Sequence, residues 1–184
     1  MPQSLSKLSP GPLVLGAMIL AAVATRLLYH FNPGLVPPNF SPVEAVALFG
    51  GAYFADRRLA LLVPLAAMAV SDLIIGFHGL LWLVYACVAL STVLGFGLRG
   101  KVRPVRVAAY GVLGSTLFFV FTNFGVWLGS SMYPQTWAGL VECYVAGIPF
   151  YKNTLAGTLF YSAVLFGGFA LLRQRLPQLR AQTV

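Results

Sequence analysis

Several polar side chains interrupt apolar stretches of this sequence at spacings that bring them together. Arg26 and His30 lie four residues apart, as do Asn123 and Trp127, so each pair shares one face of a helix. Asp72 lies within another apolar stretch. Ionisable groups are costly inside a membrane, and each one in an apolar helix is therefore a candidate functional residue.

These side chains predict a polar pocket with aromatic walls, of the kind that binds a small molecule. The predicted substrate-binding residues are Arg26, His30, Asp72, His78, Asn123 and Trp127. Structural interpretations are also open: Arg26 pairs with Asp72 to neutralise both charges, or Asn123 joins two helices. In the same structural interpretation, His30, His78 and Trp127 are residues of the membrane interface that bind no ligand.

Motifs of the common enzyme classes are missing. The sequence has no H-E-x-x-H, no G-x-S-x-G, no P-loop and no dinucleotide-binding glycine motif, so we predict no catalytic residue and no cofactor. Cys87, His78 and His30 lack metal-site spacing, and we predict no metal site. Two alternatives to a binding protein stay open: an enzyme that uses Asp72 and a histidine as acid and base, and a structural subunit of a membrane complex.

The composition indicates which elements carry these residues. Of 184 residues, 59% are hydrophobic and 9% are charged, whereas globular proteins are about a quarter charged. The apolar residues form blocks long enough for helices that cross the roughly 30 Å hydrocarbon core. Alternating segments of about ten residues, which membrane barrels need, are absent. We therefore predict an all-α integral membrane protein.

Six apolar blocks predict six transmembrane helices. The predicted spans are residues 12–31, 42–55, 59–77, 80–98, 107–129 and 154–172. Residues 130–153 are too polar to cross a membrane and are predicted as a loop with a short surface helix. The domain organisation is then a cytoplasmic tail (1–11), one membrane domain (12–172) and a basic cytoplasmic tail (173–184).

The basic residues predict the orientation. Ten of the twelve Lys and Arg residues lie on one side of a six-span chain, and only Arg26 and Lys152 fall elsewhere. Cytoplasmic loops are enriched in Lys and Arg, so both termini are predicted in the cytoplasm and the pocket toward the outside. Membrane lipid is the expected partner of the basic loops. Nucleic acid is not, because no basic stripe has interleaved aromatic residues.

The first helix carries two further patterns. Ala17, Ala21 and Thr25 are spaced by four residues, and such a small-residue ridge serves either packing within the bundle or docking of another membrane protein. The apolar run that ends at residues 22–24 (AVA) also resembles a cleavable signal peptide. Two polar residues follow this run at helical spacing, so we predict that the helix is retained.

Glu44 has a local explanation in the sequence. Residues 41–44 (SPVE) match a capping box with Pro42 at the first helical position. We therefore predict that Glu44 caps the second helix and does not bind a ligand.

Five short segments resemble an uncharacterised bacterial family of six-helix membrane proteins. They are residues 38–45 (PNFSPVEA), 47–54 (ALFGGAYF), 71–76 (SDLIIG), 122–127 (TNFGVW) and 147–150 (GIPF). By size, topology and the ridge on helix one, the chain in turn resembles the substrate-binding S components of energy-coupling-factor (ECF) vitamin transporters.

The resemblance implies an S-component-like bundle in the cytoplasmic membrane of a bacterium. Such a protein captures a vitamin-like micronutrient from outside and delivers it by toppling in the membrane. It usually docks through helix one on a separate energising ECF module, although some relatives act alone. The pocket residues carry over by position only, since Arg26, His30, Asp72, His78 and Asn123 occupy the outer half, where such proteins hold their ligand.

Overall fold

A computed structural model describes residues 10–77 and 79–175, which form six α-helices. The helices are α1 (Pro10–Phe31), α2 (Val43–Tyr53), α3 (Arg57–Ile75), α4 (Leu81–Phe96), α5 (Pro104–Gly129) and α6 (Trp137–Arg175). The all-α prediction is confirmed for these residues. Most of the two predicted tails, residues 1–9 and 176–184, lies outside the described ranges.

Successive helices run in opposite directions, which gives the bundle two ends. At one end of the bundle α1, α3 and α5 end and α2, α4 and α6 begin, and we call this the upper end. The opposite end is the lower end. Side-chain contacts agree with this arrangement. Gly125 near the end of α5 faces Leu83 near the start of α4. Phe49 of α2 packs against Phe169 of α6 nearer the lower end.

Three helices, α3, α5 and α6, are long and apolar enough to cross a membrane. They contain 19, 26 and 39 residues, or about 28, 39 and 58 Å at 1.5 Å per residue. The hydrocarbon core measures about 30 Å. The apolar segments of α1, α2 and α4 are shorter. The chain therefore has the character of a membrane protein.

α2 lies at the centre of the bundle. All 11 of its residues are buried, and it contacts each of the other five helices. Its crossing with α4 is very close, because a Cβ added to Gly51 would overlap the Thr92 carbonyl oxygen. A Cβ on Gly95 would lie 2.5 Å from the Leu48 carbonyl oxygen. Only glycine leaves room for such backbone contact. At about 16 Å, α2 is shorter than the predicted span of residues 42–55.

Arg99 binds the carbonyl groups at the C-terminal end of α2. Its Nε donates a hydrogen bond to the Gly51 carbonyl oxygen at 2.9 Å, and its Nη2 donates to that of Phe54 at 2.7 Å. Carbonyl groups at a helix C-terminus lack partners within the helix, so the guanidinium satisfies them. Burial, and secondarily the charge of Arg57, lowers the pKa of Arg99 from its ordinary value. Arginine nevertheless stays charged at neutral pH.

Aromatic rings fill the lower half of the bundle between α2 and α6. The Phe49 ring centroid lies 5.2 Å from those of both Phe166 and Phe169. The Tyr53 and Phe169 centroids are 4.7 Å apart. These contacts have the separations at which aromatic pairs attract, and they fix α2 against α6 below its first turn.

α6 differs most from the sequence prediction. Residues 137–153, predicted as a loop with a short surface helix, form the first part of one helix of 39 residues. Several polar residues had indicated that this segment does not cross a membrane, and Pro149 lies inside the helix that it forms. Helix α5 lies alongside it and packs Phe119 between Tyr144 and Tyr151, with centroids 5.5 and 4.9 Å away. This tertiary packing stabilises the helix where its sequence is polar.

Candidate functional site

A cavity of about 580 Å³ opens at the upper end, next to the first turn of α2. All six helices and the connection before α2 contribute to its lining. The cavity is lined by the first turn of α2 (Val43 and Glu44), by the C-terminal halves of α1, α3 and α5, and by Thr154, which lies well inside α6. Its volume is within the range of roughly 300–1,000 Å³ that is usual for small-molecule sites.

The lining combines polar groups with apolar and aromatic walls. The polar lining residues are Thr25, Arg26, Tyr29, His30, Asn39, Ser41, Glu44, Thr122 and Thr154. The remaining ones are Phe40, Val43, Met68, Ile75, Leu80, Val84, Val88, Phe118 and Val126. Apolar walls supply contact area, and the few polar groups orient a ligand.

Arg26 extends from α1 into the lining and is held there by α3. Its Nη2 lies 2.5 Å from Oδ1 of Asp72, and its Nη1 contacts the Met68 sulfur. The Tyr85 hydroxyl donates to the second oxygen of Asp72 at 3.0 Å. The Arg26 side chain is 17% exposed and that of Asp72 only 1%. The structure thus contains the charge pair that the sequence allowed, and the pair joins α1 to α3.

The cavity brings together two of the six predicted substrate-binding residues, Arg26 and His30. Asp72 is not part of the lining, and both of its oxygens have partners, Arg26 and Tyr85. His78 lies outside the described residues.

Asn123 and Trp127 lie away from the cavity. Asn123 Nδ2 donates to the Phe119 carbonyl oxygen at 2.8 Å, and its side chain packs against Gly147 of α6. The Trp127 indole donates to the Pro134 carbonyl oxygen at 3.0 Å. Asn123 therefore lies at the contact between α5 and α6, and Trp127 holds the connection between them.

The small-residue ridge on α1 is largely uncovered. Ala17 and Ala21 are exposed, and among the described residues no helix packs over them. Thr25 differs, because its hydroxyl donates to the Ala21 carbonyl oxygen at 2.8 Å and its side chain lines the cavity. Packing within the bundle therefore does not explain the two alanines.

Glu44 is the cavity residue that sequence reasoning missed. At the start of α2, Ser41 Oγ accepts a hydrogen bond from the Val43 N–H at 3.3 Å, but Glu44 does not cap the helix as predicted. Glu44 Oε2 instead accepts hydrogen bonds from the hydroxyls of Ser115 at 3.1 Å and Thr158 at 3.4 Å. Its Oε1 is buried and has no hydrogen-bond partner among the described residues.

One signal in the sequence did point to Glu44. It is an acidic residue in a short apolar block, where an ionisable group is a functional candidate by default. The local SPVE pattern supplied a simpler explanation, and nothing in that segment indicated partners on α5 and α6.

Metal-binding and cysteine chemistry are not evident in the described part of the chain. Residues 10–77 and 79–175 contain no group of three or more His, Cys, Asp or Glu side chains that could hold a metal ion. Cys87 and Cys143 are both buried and free. The Cys143 thiol donates to the Asn123 carbonyl oxygen at 3.3 Å, which adds to the contact between α5 and α6.

Comparison with known proteins gives a match to a protein family. The model of a family described as a family of unknown function (DUF6580) matches residues 6–179, nearly the whole chain. No curated protein and no solved structure matches the chain. The cavity and the distribution of charge are therefore the features of the molecule that bear on its function.

Proposed function

The chain belongs to DUF6580, a family of unknown function, and we propose that it binds a small, polar, vitamin-like micronutrient and takes it up across a membrane. The observation that carries this proposal is the cavity of about 580 Å³ at the upper end. Residues of all six helices line it, and charged and hydroxyl groups converge on it between aromatic side chains. This combination is typical of small-molecule sites.

The proposal places the upper end outside the cell and both termini in the cytoplasm, with six membrane crossings. Basic residues support this orientation because cytoplasmic loops are enriched in them. The described basic residues at the lower end are Arg57, Arg58, Arg99, Lys101, Arg103, Arg106, Arg173 and Arg175. In this orientation the cavity faces outward, and the membrane is the cytoplasmic membrane of a bacterium.

Delivery into the cell follows the S-component mode in this proposal. The bundle topples in the membrane while docked on a separate energising module. The exposed Ala17 and Ala21 support docking through α1, because small residues allow another helix to approach closely. Transport without such a module is the second mode that the resemblance includes.

The acid–base alternative is not favoured. Asp72 is 1% exposed, both of its oxygens have partners, and it does not line the cavity. A general acid or base must come within hydrogen-bond reach of its substrate. A purely structural subunit, for its part, has no use for a polar cavity of this size.

Mass spectrometry of the purified protein tests the proposal. The full chain is extracted in mild detergent, exchanged into lipid nanodiscs and analysed both intact and after denaturation. We expect one small molecule at close to one copy per chain, released on denaturation. Protein that is empty, and whose melting temperature is unchanged by a panel of water-soluble vitamins, contradicts the proposal.

A further inference from the structure

Resting on the proposed function, we propose that Glu44 is the recognition residue of the cavity and that the ligand is a small organic cation carrying N–H donors. A protonated amine or an amidine is the simplest head group of this class. The nitrogen donates to Oε1 of Glu44, and the rest of the molecule occupies the space between the aromatic walls.

The charge balance around the cavity is the first reason. Arg26 is the one Lys or Arg residue in the lining, and its charge is already matched by Asp72 at 2.5 Å. Glu44 is the one acidic residue in the lining and forms no ion pair with the described residues. The described lining therefore has an excess of one negative charge when Glu44 is ionised and the His30 imidazole is neutral, and a cationic ligand balances it.

The hydrogen bonding of Glu44 is the second reason. Glu44 is 5% exposed, and the hydroxyls of Ser115 and Thr158 donate hydrogen bonds to its Oε2. Oε1 is left without a donor. Leaving a buried polar atom unpaired is costly, and a charge-assisted bond to an N–H group removes that cost. The two hydroxyls also hold the carboxylate in one orientation beside the cavity.

The walls of the cavity indicate an organic cation. Tyr29, Phe40 and Phe118 contribute aromatic surface to the lining, and aromatic faces attract cations and cover apolar ligand atoms. A bare divalent ion needs several oxygen ligands, usually with carboxylates among them, and within the described ranges no three His, Cys, Asp or Glu side chains are grouped to hold one.

An anionic ligand is the main competing class. Arg26, His30 and the N-terminus of α2 are the features that attract an anion. Arg26 is already paired with Asp72, however, and Glu44 lies in the first turn of α2, where it takes the favourable position for a negative charge. An anion at this site would have to approach an unpaired carboxylate.

Three probes of one shape test the proposal: benzamidine is a cation with N–H donors, benzamide is neutral and benzoate is an anion. Their affinities are measured by titration against melting temperature, with the full chain in lipid nanodiscs. We expect wild-type protein to bind benzamidine at least tenfold more tightly than benzamide, and benzoate not at all. Equal or tighter binding of benzamide or benzoate, or no binding of benzamidine, overturns the proposal.

The variant Glu44→Gln tests whether Glu44 causes the preference for benzamidine. The change removes the charge at almost constant shape, and we expect it to weaken benzamidine binding at least tenfold, to the level of benzamide. Glu142→Gln, the same change at an exposed position of α6, leaves affinity unchanged. Retention of the benzamidine preference by Glu44→Gln overturns the proposal. If this variant does not fold, Glu44→Asp, which keeps the charge but moves it, must weaken benzamidine binding.

A cavity-filling change separates this proposal from the proposed function. Thr122 lines the cavity from α5, and Thr122→Trp fills part of it. If benzoate binds to wild-type protein and Thr122→Trp abolishes that binding, the cavity is a ligand site and only the cationic class is wrong. If no probe binds and no molecule co-purifies, both the proposed function and this inference fail.

Discussion

At the scale of single residues, the pairing of Arg26 with Asp72 explains how two charges lie within an apolar bundle. Arg26→Ala leaves the carboxylate of Asp72, 1% exposed, without its cation. We expect this change to lower the free energy of unfolding by about 3–5 kcal/mol. The measurement is chemical denaturation of the purified protein in detergent.

The double variant Arg26→Ala/Asp72→Asn distinguishes this pair from two independent contacts. Removing both charges leaves neither unpaired, so the double variant is expected to lose less stability than the sum of the single variants, by about 1–3 kcal/mol. Lys152→Ala, at an exposed basic residue, is the control and changes stability by less than about 0.5 kcal/mol. Strict additivity at the first two positions contradicts the pairing.

Sequence reasoning could anticipate the Arg26–Asp72 pair but not the surroundings of Glu44. Two opposite charges in apolar segments have few other partners. Their pairing follows from the free-energy cost of leaving either charge unpaired in an apolar environment. Glu44 receives its hydrogen bonds from residues 71 and 114 positions away. No local pattern encodes such distant partners.

At the scale of the helices, the crossing of α2 and α4 determines how deeply α2 is buried. Gly51→Ala places a Cβ against the backbone of Thr92, which cannot move as a side-chain tip can. We expect a loss of about 3 kcal/mol or more in unfolding free energy, at the upper end of the usual cost of overpacking.

Gly167→Ala provides the matched control for this prediction. Gly167 is also helical, but a Cβ there would meet nothing within 4 Å. Alanine loses less conformational entropy than glycine on folding, so this variant is expected to be equally stable or more stable by up to about 1 kcal/mol. If both alanine variants behave alike in denaturation, close backbone contact does not hold α2 against α4.

The helix boundaries were predictable where hydropathy alone decides them. α3, α4 and α5 lie close to the predicted spans of residues 59–77, 80–98 and 107–129. The start of α6 was not predictable from hydropathy, because the polar residues around Pro149 locally disfavour a membrane-spanning helix. The aromatic contacts of Phe119 with this segment come from α5, and the sequence does not show that the two helices lie side by side.

At the scale of the whole molecule, basic residues at the lower end and a polar cavity at the upper end are the basis of the proposed orientation in the membrane. Impermeant maleimide labelling tests this orientation in a Cys87→Ser/Cys143→Ser background. Ser131→Cys is in the connection between α5 and α6, and Lys101→Cys is in that between α4 and α5; both positions are exposed.

In intact cells we expect Ser131→Cys to be labelled and Lys101→Cys to be protected. Both should react after the membrane is permeabilised, which shows that protection came from the membrane. The reverse pattern, or equal labelling of both in sealed cells, contradicts the six-span orientation.

The membrane class and the cavity were predictable to different degrees. Composition alone indicates membrane helices, because the charged residues are too few to form the water-exposed surface of a soluble protein. The cavity depends on where the first turn of α2 lies relative to the other five helices, which is a relation among helices and not a property of any one segment. Residues from all six helices therefore meet at a site of which Arg26 and His30 are the predicted members.

The most direct test of the ligand-binding cavity compares Thr122→Trp with Val120→Trp by mass spectrometry of co-purified small molecules. Thr122 lines the cavity, whereas Val120 is on the same helix, is 39% exposed and does not line it. We predict that wild-type protein and Val120→Trp carry the same molecule at close to one copy per chain and that Thr122→Trp has lost it. Retention of the molecule by Thr122→Trp, or its absence from the wild type, contradicts the account.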